Sequence, residues 1–236
     1  VRLISHVLAM TGKTVGMTST SGTYVGERQI CKGDNSGPHS AAALLANKSI
    51  DAAVLETARG GILREGLGYD LANVGVVTNI SNYHLGLGGV NTLEELAHIK
   101  ALVAEAVRPG GYAVLNGEDT MTEKILKRIK GGIRIILFYK SKKSVQVSDP
   151  DRFVQVYLER GAITIADSDG KKTVARVKDI PITCGGILDC NIDNCVAATA
   201  ALYGLGIPLE IIAAGLTAFK SNPGRFEFFD MGDYRV

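Results

Sequence analysis

The sequence predicts an α/β fold: a mostly parallel sheet flanked by helices, with a small antiparallel β segment inserted late in the chain. Three observations point there. Apolar runs of strand length alternate with segments of helical period, and helix-length connections between strands produce parallel pairing with right-handed crossovers. Several strand-like runs finish on polar residues, as strands do where an open α/β sheet meets its ligand. The 236 residues are 46% hydrophobic and include 28 glycines, enough for a large core and many tight turns.

Residues 3–10 place apolar side chains at helical spacing, so the chain opens in a helix, which Gly12 ends. That opening leads us to expect a strand and loop upstream. Thr11-Gly12-Lys13-Thr14 has the look of a phosphate loop, but Val7 stands where that motif needs its first glycine. It also follows a helix and precedes a strand, the reverse of the required order. Residues 15–20 form a strand running into Thr18, Ser19, Thr20 and Ser21, hydroxyls suited either to phosphate or substrate or to capping turns. A polar loop follows from Gly22 to Gly37. Ser36 is placed as N-cap and Pro38 in the first turn of a helix reaching Asn47.

Residues 50–56 are the next strand, apolar enough to be covered on both faces, and they close on Glu56. Residues 74–79 make another, leading into a polar turn from Ile80 to Gly86. A helix from Thr92 to Val107 begins with the capping-box pair Thr92 and Glu95. A short strand at 112–115 closes on Asn116, Glu118 and Asp119. A helix through Lys130 and a strand at 133–138 follow. Beyond Tyr139 the pattern changes. Lys140, Lys142 and Lys143 belong to a solvated loop, and strands at 153–158, 162–166 and 173–177 form the antiparallel insertion, 139–185. Helices at 191–203 and 208–219 complete the fold.

A net charge of +2 argues against nucleic acid or a polybasic membrane surface. No apolar run is long enough to span a bilayer. Cys31, Cys184, Cys190 and Cys195 form no CxxC pair, and without a secretion signal they read as reduced, cytoplasmic thiols.

The segment most suggestive of chemistry runs Leu55-Glu56-Thr57-Ala58-Arg59-Gly60-Gly61-Ile62-Leu63-Arg64. A carboxylate closing a buried strand suits a metal ligand or polar site residue; pairing with Arg59 or Arg64 is the alternative. This run, with Gly33-Asp34-Asn35-Ser36-Gly37-Pro38, Asn79 through Gly86, Ala113-Val114-Leu115-Asn116 and Pro223-Gly224-Arg225-Phe226, resembles the central domain of the Mur ligase family. The Glu56–Arg64 run is closest to members that attach arginine to aspartate side chains of a polyaspartate backbone.

The resemblance implies a P-loop-NTPase-like central domain spanning 1–236. Its reaction joins a carboxylate to an amine through an acyl phosphate, using ATP and Mg2+. Glu56 then matches the magnesium carboxylate, and His84 the histidine near a second magnesium. Lys100 matches a lysine that several members carbamoylate, converting an ammonium into a metal-binding carboxylate. Asn116 and Asn194, and more weakly Asn191, match asparagines near the nucleotide. Arg225 matches an arginine on the ATP phosphates, and Thr18 and Thr20 lie where cofactor hydroxyls are expected. Cys190 stands where the family often has His. The implied partners are a small-molecule or polymer carboxylate, an amino acid such as arginine, the remaining domains of a parent ligase, and further copies in a homo-oligomer. The phosphate loop and the family's C-terminal domain would lie outside these 236 residues, so the chain alone is expected to bind ATP weakly and catalyse little.

Overall fold

The computed structural model describes residues 1–82, 85–141, 146–148, 152–220 and 232. In chain order the elements are α1 (Arg2–Ala9), β1 (Val15–Ser19), β2 (Gly22–Val25), β3 (Arg28–Lys32), α2 (Pro38–Leu45) and β4 (Ala52–Leu55). There follow α3 (Arg59–Glu65), β5 (Ala72–Val77), α4 (Leu93–Glu105), β6 (Val107–Asn116), α5 (Thr122–Leu126) and β7 (Arg134–Tyr139). The last are β8 (Val154–Glu159), β9 (Ala162–Asp167), β10 (Gly170–Arg176), α6 (Asp189–Gly204) and α7 (Leu209–Ala218). The α/β class holds, with helices flanking the strands as expected.

The strands form two sheets. One has the order β3-β2-β1-β4, the other β10-β9-β8-β7-β6-β5. In the second, β5, β6, β7 and β8 pair in parallel, and β8-β9-β10 continue the same sheet antiparallel. Residues 139–185 therefore supply three strands that extend the main sheet.

Alternation along the strands sorts this sheet's side chains into two cores. Val114, Ile136, Val156, Ile163 and Ile165 face α1, α6 and α7. Ala113, Leu115, Leu137, Tyr139 and Tyr157 face α4 and α5. Tyr139 and Tyr157 stack with centroids 5.4 Å apart, as the β7–β8 register places them side by side. Helix α6 is buried on most sides, because it lies across β5 to β8 and also meets α1 and α7.

Several expectations are corrected. The loop assigned to 22–37 contains the hairpin β2–β3, whose tight turn at Gly26 has φ 57° and whose β3 is exposed throughout. Strand β4 is half-buried at every residue, because it lies at its sheet's edge. Ser36 is not the N-cap of α2: Gly37 takes that position, and the Ser36 hydroxyl donates to Asp34 at 2.6 Å. The capping box of α4 forms as expected, with Glu95 N–H donating to Thr92 and Glu95 accepting from the Thr92 N–H. No helix among the described residues is long and apolar enough to cross a membrane.

Candidate functional site

Two strand-end clusters meet around α3. The first gathers where β1 and β4 run parallel. The Glu56 N–H donates to the Thr18 carbonyl at 3.1 Å, and the Thr20 N–H donates to Glu56 Oε2 at 3.2 Å. Glu56 is thus half-buried, its own N–H held by Thr18 and its carboxylate by the Thr20 N–H. The Thr18 hydroxyl is fully buried and has no partner among the described residues. Ser19 Oγ donates to the Gly22 carbonyl, and Ser21 Oγ accepts from Arg2 at 2.6 Å.

The second cluster stands at the ends of β5 and β6. Lys100 Nζ, carried by α4, donates to the Asn79 carbonyl at 2.7 Å. Burial lowers the Lys100 pKa; Asp119 opposes that shift, and Arg59 adds to it. Asn116 Nδ2 donates to the Thr78 carbonyl at 3.0 Å, while its Oδ1 accepts from the Glu118 N–H at 2.9 Å. Asp119 accepts from the Ile80 N–H and the Met121 N–H, so both turns are tied together.

Helix α3 joins the two. It starts three residues after Glu56, and its first residue, Arg59, donates from Nη1 to the Leu87 carbonyl at 2.7 Å. Its next turn packs on α2: a methyl on Gly61 would sit 2.9 Å from Pro38 Cδ. The Arg59 side chain thus reaches the loop beyond Asn79.

A third group lies beyond β7. The sequence reading left Lys140 solvated, yet its ammonium stands 3.4 Å from Asp189 and 3.3 Å from Asp193 on the first turns of α6. The reason is topological: β7 ends against the start of α6, which the sequence does not display. Asn194 is exposed beside Asp193. Asn191 is buried, and its amide donates to the Ile182 carbonyl at 2.6 Å, so it anchors the turn before α6. Cys190 is exposed and Cys195 buried, its thiol pushed up to about 12 by desolvation, so the two share no site. His84 and Arg225 lie outside the described residues.

The structure therefore brings Lys100, Asn79, Asn116, Asp119 and Arg59 into one connected set, with Glu56, Thr18 and Thr20 at the other end of the α3 turn. Among the described residues no three His, Cys, Asp or Glu side chains gather closely enough to hold a metal ion by themselves. The Glu56–Arg64 run marks Arg59 in the sequence without fixing its partner, and nothing in the sequence marks the Lys140 ion pairs.

Residues 1–202 match the family model described as "Mur ligase middle domain". The chain is 40% identical over 239 aligned positions to a cyanophycin synthetase of Nostoc sp., an alignment covering 100% of this chain and 26% of that protein. The chain thus spans about a quarter of the length of the cyanophycin synthetases it matches. Among solved structures, a UDP-N-acetylmuramoyl-L-alanyl-D-glutamate–2,6-diaminopimelate ligase superposes with TM-score 0.69 at 18% identity, covering 97% of this chain and 45% of that one. MurF from Acinetobacter baumannii gives 0.67 at 20% identity, covering 99% and 46%. Strand ends, intervening helices and sequence agree in one assignment: the chain belongs to the Mur ligase middle-domain family.

Proposed function

We propose that this chain, 1–236, is the central domain of an ATP- and Mg2+-dependent carboxylate–amine ligase that adds arginine to aspartate side chains of polyaspartate. The observation that carries this reading is the 40% identity to cyanophycin synthetase along the whole chain. In the reaction proposed, a substrate carboxylate oxygen attacks the γ-phosphorus of ATP and ADP leaves. The resulting acyl phosphate is then attacked by an amine nitrogen; the amide forms, phosphate departs and the amine loses a proton.

The donor chemistry at the site suits this. Glu56 offers a hard carboxylate oxygen at a strand end, near a buried Thr18 hydroxyl that has no partner among the described residues. Magnesium keeps few protein ligands and fills its shell with phosphate oxygens and water, so one carboxylate fits where no three-residue cluster exists. Bound there, magnesium would neutralise phosphate charge. Glu56 is the proposed ligand, with His84 and a carbamoylated Lys100 as further ones. Carbamoylation needs a neutral amine, and burial moves Lys100 in that direction. Asn194 and Thr20 are proposed to contact the nucleotide directly. Asn116 and Asn191, whose amides are engaged internally, shape its seat, and Arg225 is proposed to hold the phosphates.

The test is ADP release with magnesium, ATP, a short aspartate primer and each amino acid in turn, on the chain alone and on the chain with its flanking coding sequence. Arginine-dependent release, abolished by Glu56→Ala, supports the reading. Release with another amine keeps the ligase and discards the substrate. No release with any amine from the longer protein sinks both.

A further inference from the structure

Away from these clusters, the face of β8-β9-β10 turned from α6 and α7 carries a shallow groove of about 440 Å3. It is lined by Glu159, Arg160, Ala162, Thr164, Lys171, Thr173 and Arg176. Register explains the lining. Tyr157, Thr164 and Thr173 stand abreast across the three strands, and Arg176 is abreast of Ala162, so their side chains share one face. The opposite face, with Val156, Ile163, Ile165 and Val174, belongs to the core.

Three cations project into this groove against one carboxylate. Lys171 pairs with Glu159 at 2.6 Å. Arg160 and Arg176 are exposed and form no ion pair among the described residues. Arg160 also holds φ 52°, in the two-residue turn with Gly161 at φ 75°. Such hairpin turns favour Asn-Gly, because a long side chain at positive φ is disfavoured. An arginine retained at a strained turn, beside a second unpaired arginine and two threonine hydroxyls, is arranged for an anion rather than for stability.

We propose that this groove docks an acidic polypeptide, whose carboxylates pair with Arg160 and Arg176. The inference rests on the polymer substrate proposed above and places that polymer on the sheet. Strand β8 ends on the same sheet edge as β6 and β7, since all three run parallel. Arg160, at the end of β8, lies two strand spacings, about 10 Å, across the sheet from β6, and Arg176 on β10 lies four, about 19 Å, a span covered by about six residues of extended chain. A polymer lying in the groove would therefore keep its growing end near the strand-end site while remaining attached between additions, raising its local concentration there.

The experiment uses this chain without ATP and fluorescein-labelled poly-L-aspartate, read by anisotropy. The double variant Arg160→Glu with Arg176→Glu is expected to lose about tenfold or more in affinity. Reversing Arg28 and Lys32 to Glu on β3, in the other sheet, is expected to change little. Arg160→Asn, which suits the turn better, should raise the Tm yet weaken poly-aspartate binding, separating recognition from folding. The proposal is overturned if the parent chain does not bind poly-aspartate, if the β3 variant weakens it as much, or if a single-stranded oligonucleotide of equal charge binds as well with the same dependence on Arg160 and Arg176. Groove-dependent binding with no ADP release from the longer protein would sink the ligase reading alone. Arginine-dependent release with groove-independent binding would sink only this one.

Discussion

The ammonium of Lys100 donates to the carbonyl oxygen of Asn79 at 2.7 Å, and that bond fastens the middle of α4 to the turn leaving β5. The same side chain is desolvated there, which sets up its pH behaviour.

Lys100 has a folded pKa below its ordinary 10.5, burial being the largest cause. Between the two values the unfolded chain binds more protons than the folded one, so this group makes stability rise with pH across that window. Urea midpoints from neutral pH toward 10.5 are expected to climb more steeply in the parent than in Lys100→Met. Equal slopes would show that Lys100 titrates normally.

Arg59 is expected to act locally. Arg59→Ala removes the bond to the Leu87 carbonyl, a charge-assisted bond worth about 1.5 kcal/mol. The Gly86 N–H, which donates to the Val90 carbonyl at 2.7 Å in that loop, should exchange with solvent about tenfold faster, while the global Tm shifts little. Hydrogen exchange at single-residue resolution checks this, and an unchanged Gly86 rate would refute it.

Gly75 is where β5 meets α4 most closely. A methyl there would overlap the Val103 carbonyl oxygen and come within 2.9 Å of Val107 Cγ2. Gly75→Ala is expected to cost about 3 kcal/mol, through overpacking against backbone that cannot yield. It should also shift the NMR signals of Lys100, because α4 carries both contacts. A chemical-denaturation curve beside such a spectrum tests both.

Asp167 ties the β9–β10 hairpin to α6. Its nearly buried carboxylate accepts from the Tyr203 hydroxyl at 2.6 Å and from Lys172 at 2.9 Å. Burial pushes its pKa up, but Tyr203, Lys172 and the Asp169 N–H outweigh this and leave it lowered. A lowered carboxyl pKa contributes stability that is present above the unfolded value and is lost as pH falls through the folded one. Asp167→Ala should therefore cost about 2 kcal/mol at neutral pH. That difference should shrink once the pH falls below the ordinary 3.8. Thermal melts of the two proteins across that range measure it.

How much was legible depends on the range of the interaction that fixes each feature. The α4 capping box was legible because Thr92 and Glu95 are three residues apart and carry their own chemistry. The strand-end position of Glu56 was legible because an apolar run stops on it. Hairpin β2–β3 was not, because β2 is only four residues long and β3 is exposed at every residue, so neither strand shows a sustained alternation of buried and exposed side chains. The division into two sheets was also hidden: the apolar run at 50–56 looks the same whether its outer edge is paired or open. Lys140 escaped because Asp189 and Asp193 are some fifty residues away in sequence. The family resemblance supplied the candidate roles of Lys100 and Asn194, which spacing alone could not assign.

The continuation of the parallel strands into β8-β9-β10 also has a kinetic consequence. Each of those last pairings joins sequence neighbours through a tight turn, whereas β5, β6 and β7 meet only after helix-length stretches have been closed. Loop closure costs more entropy the longer the stretch, so the hairpin stack has the cheaper nucleus. Refolding should therefore begin at this end, with the amides of Thr164 and Ile165 protected before that of Val76. The chain's third quarter would serve as the template on which the parallel strands, and with them the turns that carry Asn79 and Asn116, are laid down.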